Sequence, residues 1–205
     1  LGVAAGVDDI RRVNADSVIL ATGSSMIAPR WIPEEARAQG WVPDLRTAMA
    51  DLVAVRERQS GVAVIFDMDH TEGTYASAQR LREVFDQVWI VTPRHSIADE
   101  TSLVTRQGIL RRMSREGIRL ACLSEPRWTE RMESGALEIE QVYTGERTVL
   151  EPLAFLAYAT PRLPDKRLVE PLEAAGIETR LVGDCIMARN IMAATAEGHA
   201  AGNAV

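Results

Sequence analysis

Residues 62–66, Val-Ala-Val-Ile-Phe, are followed by a polar loop, a stretch with helical spacing and a second apolar run, Val88-Trp89-Ile90-Val91. An unbroken apolar run of this length suits a strand covered on both faces. Joined through a helix within about 30 residues, two such runs make a strand-helix-strand crossover, the connection that parallel strands require. This unit constrains the fold more than any other part of the chain, because it commits the protein to a sheet with helices packed on it.

The alternation extends in both directions. Residues 17–21 read as a buried strand that exits into Thr22-Gly23-Ser24-Ser25, and residues 29–43, with three prolines, Trp31 and Trp41, read as an irregular connection. Residues 45–58 carry helical spacing through Leu45, Met49, Leu52, Val53 and Val55. A second helix over 101–116 is closed by Gly117, and a strand follows at 118–123. Segments 136–143 and 147–151 flank Thr144-Gly145-Glu146 as a β-hairpin, and residues 155–159 form a further apolar strand. After a short helix near 167–175, a last strand stops at Gly183-Asp184 and turns into a helix rich in small residues. The expected fold is α/β: a Rossmann-like, three-layer nucleotide-binding domain with a mainly parallel sheet and a β-hairpin or meander as a side element.

A net charge of −6 argues against a basic face for nucleic acid and against binding to anionic membranes. No apolar run approaches the roughly 20 residues that span a bilayer, so the chain reads as cytoplasmic. Cys122 and Cys185 stand far apart without metal-type spacing and read as two reduced thiols, and no metal site is expected. The chain opens on Leu1 rather than methionine and closes inside a helical pattern, which reads as a piece of something longer.

The ordered series SVILATGS at 17–24, the strand-loop-helix over 62–85, VTPR at 91–94, VYTGE at 142–146, AYATPRLPD at 157–165 and LVGDC at 181–185 resembles the flavoproteins with two dinucleotide-binding domains. Within them it is most similar to the C-terminal region of the trimethylamine dehydrogenase and 2,4-dienoyl-CoA reductase family, the large Old Yellow Enzyme-type NADH:flavin oxidoreductases. The resemblance implies a partial flavin-type lobe at 1–57, an inserted NAD(P)-type lobe at 58–160 and a return to the first lobe at 161–205. It implies FAD or ADP in the partial site, with FMN and a four-iron cluster held only by the parent enzyme. The implied partners are the N-terminal TIM-barrel part of the same enzyme, an electron-transfer protein and further copies of the parent in a homo-oligomer.

On the same basis Asp184 would present its carboxylate to a ribityl hydroxyl, with the backbone of residues 186–193 facing pyrophosphate. Thr22 and Gly23 would sit at the strand exit nearest the cofactor, and Gly183 at the turn. In the inserted lobe, Gly73 is what remains of a glycine-rich loop, and Arg94 stands where an arginine can meet a 2′-phosphate. Residues 67–73 read Asp-Met-Asp-His-Thr-Glu-Gly, which departs from the fingerprint. Asp67, Asp69 and Glu72 would crowd negative charge against a pyrophosphate, and two like charges about 4 Å apart cost roughly 1–4 kcal/mol. NAD(P) binding by this lobe is therefore disfavoured. No catalytic residue is assigned, and the piece is expected not to turn over alone.

A rival reading takes Asp67-Met68-Asp69-His70-Thr71 as the opening motif of a haloacid-dehalogenase-type phosphatase that depends on Mg²⁺. Asp67 would be the nucleophile, Asp69 the acid/base, Thr92 a phosphate ligand and Lys166 the cation. It lacks the second acid expected after Gly183-Asp184, where Ala188, Arg189 and Asn190 stand, and it leaves residues 1–60 without a role.

Overall fold

The computed structural model describes residues 2–204; Leu1 and Val205 lie outside the described residues. In chain order the first elements are α1 (Val7–Arg12), β1 (Ser17–Leu20), β2 (Ser24–Met26), α2 (Glu34–Ala38) and α3 (Leu45–Leu52). The crossover unit follows as β3 (Gln59–Asp67), α4 (Glu72–Val84), β4 (Phe85–Thr92), α5 (Leu103–Arg115) and β5 (Arg119–Cys122). Then come β6 (Ser124–Arg127), β7 (Leu137–Gln141), β8 (Arg147–Leu150) and β9 (Leu153–Ala159). The chain closes with β10 (Arg162–Pro164), α6 (Val169–Ala174), β11 (Glu178–Leu181) and α7 (Ile191–Gly202).

These elements form two compact units. One comprises the chain up to Met26 and from Arg162 onward; the other is Ile27–Pro161.

In the second unit the sheet order is β5-β4-β3-β9, and every pairing is parallel. Side chains alternate across β3 as the pleat requires. Val62 and Val64 join Ile32, Val42, Leu137 and Leu156 in one apolar cluster, while Ala63 and Ile65, at the alternate positions, are fully buried. Helix α4 lies against β3 and β4 and also meets α5, burying Tyr75, Ala78 and Leu81. The antiparallel sheet β6-β7-β8 supplies Leu137, Ile139 and Leu150 to the cluster of Val62 and Val64. The expected hairpin is thus two strands of a three-stranded meander.

Two expectations change here. The expected first boundary at 57/58 falls instead at 26/27, because the Pro- and Trp-containing stretch is core: Ile32, Ala36 and Val42 are buried, and Trp31 sits edge-on to Phe66 at 5.8 Å. Tyr158 N donates to Pro43 O at 3.2 Å, tying the stretch to β9. The helix expected over 45–58 stops at Leu52, where Arg80 of α4 donates to the carbonyls of Leu52, at 3.3 Å, and of Val55. A guanidinium on the last carbonyls ends a helix without a further turn.

In the first unit β1 and β11 pair in parallel, with Leu20 opposite Leu181, and β2 and β10 pair antiparallel. Its core is small: Leu20, Leu172 and Cys185 are buried, with Val18, Val7 and Ile177 packed around them. No residue of α7 is buried. Among the described residues, no helix is long and apolar enough to cross a membrane.

Candidate nucleotide-binding edges

Each unit ends a parallel strand on a turn that carries an aspartate. In the first unit Val182 N donates to Leu20 O at 3.0 Å, which holds the end of β11 beside the exit of β1. Gly183 follows with φ +66°, in the left-handed region that favours glycine. A Cβ there would stand 3.3 Å from the Ala194 Cβ on α7, so the turn needs glycine for both backbone and space. Gly183 N donates to Glu197 of α7 at 2.8 Å. Glu197 also pairs with Arg189, and that guanidinium, aided by the Gly183 amide, holds its carboxyl below the usual range.

The Asp184 carboxylate accepts from Ser24 Oγ at 3.0 Å and from the Arg189 amide at 3.2 Å, and pairs with Arg162. Arg162 is 10% exposed and Asp184 23%, so the pair is largely withdrawn from water. Thr22 Oγ1 donates to Asp165 O at 2.5 Å and lies 3.1 Å from Cys185 Sγ. Gly23 O accepts from Asp165 N at 2.9 Å, and the glycine, at φ +76°, has open space where a Cβ would be. Four expected residues, Thr22, Gly23, Gly183 and Asp184, are therefore brought to one edge. The sequence did not single out Ser24, Arg162 or Glu197 there. Arg162 and Glu197 are ordinary surface residue types whose partners only the fold supplies.

The expected phosphate cradle over 186–193 is not a continuous helix start. Residues 187–190 are irregular, α7 begins at Ile191, and its Ala193 amide is taken by the Asn190 side chain at 3.0 Å. One amide of the first turn of α7 is therefore engaged within the protein.

In the second unit the exit of β3 is filled from within. Met68 N and Asp69 N both donate to Ala159 O, at 2.7 and 3.1 Å. Asp67 is fully buried; its Oδ1 accepts from His70 N at 3.0 Å and its Oδ2 from Tyr75 Oη at 2.7 Å. Tyr75 Oη in turn accepts from Ala98 N at 2.5 Å. The His70 ring accepts from Asp99 N at Nδ1, 3.4 Å, so its Nε2 carries the hydrogen toward Thr92 Oγ1 at 3.3 Å. Asp69 braces the turn before α4, accepting from Thr71 N at 3.0 Å and Thr74 Oγ1 at 2.8 Å. Burial pushes the Asp67 carboxyl above its ordinary pKa, against the opposing pull of His70 and Tyr75. Burial and the neighbouring Asp67 raise the Tyr75 phenol.

Gly73 lies in the first turn of α4 with nothing closer to a Cβ than Thr71 Oγ1 at 3.9 Å, so no close backbone approach demands glycine. Arg94 is half-exposed after β4, 3.5 Å from Glu100. Both residues lie at the carboxyl end of adjacent strands, β3 and β4. The amides of residues 68–71 are all engaged within the protein. The same burial removes the phosphatase reading: a nucleophile must reach substrate, and both Asp67 oxygens are engaged out of solvent. Lys166 belongs to the other unit.

No protein-family model matches the chain, and no curated protein matches it in sequence. Among solved structures its fold is similar to histamine dehydrogenase from Rhizobium sp. 4-9, with TM-score 0.75 and 20% identity over 97% of this chain and 32% of that one. It is similar to a 2-naphthoyl-CoA reductase in complex with 2-naphthoyl-CoA, with TM-score 0.78 and 17% identity over 97% of this chain and 28% of that one. Thioredoxin reductase from Lactococcus lactis matches with TM-score 0.66 and 21% identity, over 91% of this chain and 64% of that chain. The chain has the Rossmann-like α/β fold of these oxidoreductases and spans less than a third of the length of the first two.

Proposed function

We propose that this chain is the nucleotide-binding part of a larger flavin-dependent oxidoreductase of the amine dehydrogenase or dienoyl-CoA reductase type, and that it is not catalytic alone. The Gly183-Asp184 turn carries this reading: it places a carboxylate beside the exit of a parallel strand, where α/β proteins bind ligands. The motif series along the sequence and the fold match over 97% of the chain point the same way.

In this reading the first unit is the partial flavin-type lobe and takes FAD or ADP through Thr22, Gly23, Gly183 and Asp184. Ser24 and Arg162 fix the carboxylate so that it meets a sugar or ribityl hydroxyl without reorganising. The second unit is the NAD(P)-type lobe whose phosphate loop has closed on itself; Gly73 and Arg94 are its remaining nucleotide-facing residues. FMN and an iron-sulfur cluster belong to the remainder of the parent, whose barrel is the first partner. An electron-transfer protein, self-association of the parent and a cytoplasmic location complete the proposal.

Calorimetric titration of the chain with ADP, FAD, NADH and NADPH tests it. The expected result is measurable binding of ADP and FAD that disappears in Asp184→Ala. Binding of NADPH that survives Asp184→Ala and is lost in Arg94→Ala would place the nucleotide in the wrong unit and overturn the reading.

A further inference from the structure

The second unit carries a groove of about 900 Å³ on the side of β9 away from the loops described above, between residues 41–42, 128–133 and 153–156. Its size is that of a small-molecule site. Trp41 forms one wall and is 62% exposed, although a tryptophan of this unit has a core available to it. Its ring stacks on Trp128 at 6.2 Å and 27°. Val42 and Leu156 give the floor buried apolar surface, and Met132 and Leu153 are partly buried beside them.

The polar lining has a definite sign. Glu138 is 8% exposed and is held by Arg131 Nε at 2.9 Å and by Arg147 at 3.5 Å. Arg147 also pairs with Glu140, at 3.0 Å. Both guanidinium groups are thereby committed, whereas Glu130 and Glu133 at the rim have no ion pair among the described residues. Three carboxylates (Glu130, Glu133, Glu138) against two guanidinium groups (Arg131, Arg147) leave the groove one negative charge in excess. An indole face attracts cations through its quadrupole, and desolvation in a groove strengthens that attraction.

We propose that this groove is a binding site for a small organic cation, an ammonium carried on a flat apolar body, with Trp41 against the body or the charge and Glu130 and Glu133 facing the ammonium. A carboxylate-bearing ring of the same shape would meet the unpaired rim acids, and a neutral ring would forgo both attractions. The proposal does not depend on which nucleotide the first unit takes.

The test uses the full chain, with benzyltrimethylammonium, benzyl alcohol and benzoate as probes in calorimetry and tryptophan fluorescence. Benzyltrimethylammonium is expected to bind, with benzoate and benzyl alcohol weaker by about tenfold or more. Trp41→Ala is expected to weaken the cation by about tenfold with an unchanged circular dichroism spectrum, while Trp41→Phe keeps most of the affinity because an aromatic face remains. Glu130→Gln combined with Glu133→Gln is expected to lower affinity severalfold and to flatten its dependence on salt. Equal binding of the three probes, unchanged cation binding in Trp41→Ala, or no binding of the cation would each overturn the proposal.

Discussion

Asp184 and Asp67 occupy equivalent places, each at or just beyond the carboxyl end of a parallel strand, yet their surroundings are opposite. Asp184 faces Arg162, Ser24 and a backbone amide, and part of it reaches solvent. Asp67 is fully buried against a phenol, a backbone amide and a histidine. Asp184 sits among a guanidinium, a hydroxyl and an amide, whereas burial with neutral donors turns Asp67 into an internal fastener and raises its pKa. Topology puts an aspartate at a strand exit in each unit, but the neighbours set its surroundings.

Substitutions separate the two roles. The largest effect is expected for Asp67→Ala, which leaves the His70 amide and the Tyr75 hydroxyl without an acceptor inside the protein. Each orphaned buried donor costs about 1–3 kcal/mol, so urea denaturation should show a loss of roughly 3 kcal/mol. Next is Gly183→Ala, which forces a side chain into φ +66° and toward Ala194. A loss of about 1–2 kcal/mol in thermal or urea unfolding is expected. Asp184→Asn keeps an acceptor for Ser24 but removes the charge facing the largely buried Arg162, and its distinguishing effect is expected on binding: loss of ADP affinity, which calorimetry would detect. If Asp184→Asn bound ADP as the parent chain does, the contrast between an open and a fastened edge would fail.

The pH dependence sharpens the same contrast. The folded Asp67 carboxyl has a raised pKa, so the folded state holds this proton more tightly than the unfolded chain does. Its contribution is therefore fully present below the ordinary aspartate value of 3.8 and is lost as pH rises through the raised folded value. The stability of the protein relative to Asp67→Asn should fall as pH rises across that window, as read by urea unfolding at a series of pH values. Glu197, with its lowered pKa, runs the other way: its contribution is present above the ordinary value of 4.5 and is lost as pH falls through the lowered one.

The parallel sheet was legible because β3 and β4 carry unbroken apolar runs, and the meander announced itself through Thr144-Gly145-Glu146. The short strands were not. β2 and β10 have three residues each, one of them ending on Pro164, and β6 contains Pro126, so neither period nor propensity marks them. The stretch over residues 29–43 looked like a linker because its core contacts come from isolated residues, Ile32 and Val42, that form no periodic pattern. At the candidate site, glycine and aspartate announced the turn at 183–184, whereas Arg162 reaches Asp184 only because β10 pairs with β2 near the β1 exit. The acidic character of the β3 loop was legible; that Asp67, His70, Tyr75 and Thr92 would meet in one buried network required the fold.

The most direct test of an open edge in one unit and a closed edge in the other is residue-resolved NMR of the 205-residue chain titrated with ADP. The account predicts shifts concentrated at residues 22–24 and 183–189, with residues 67–73 and 92–95 unmoved. Shifts concentrated at 67–73 and 92–95, with the Gly183-Asp184 turn silent, would contradict it.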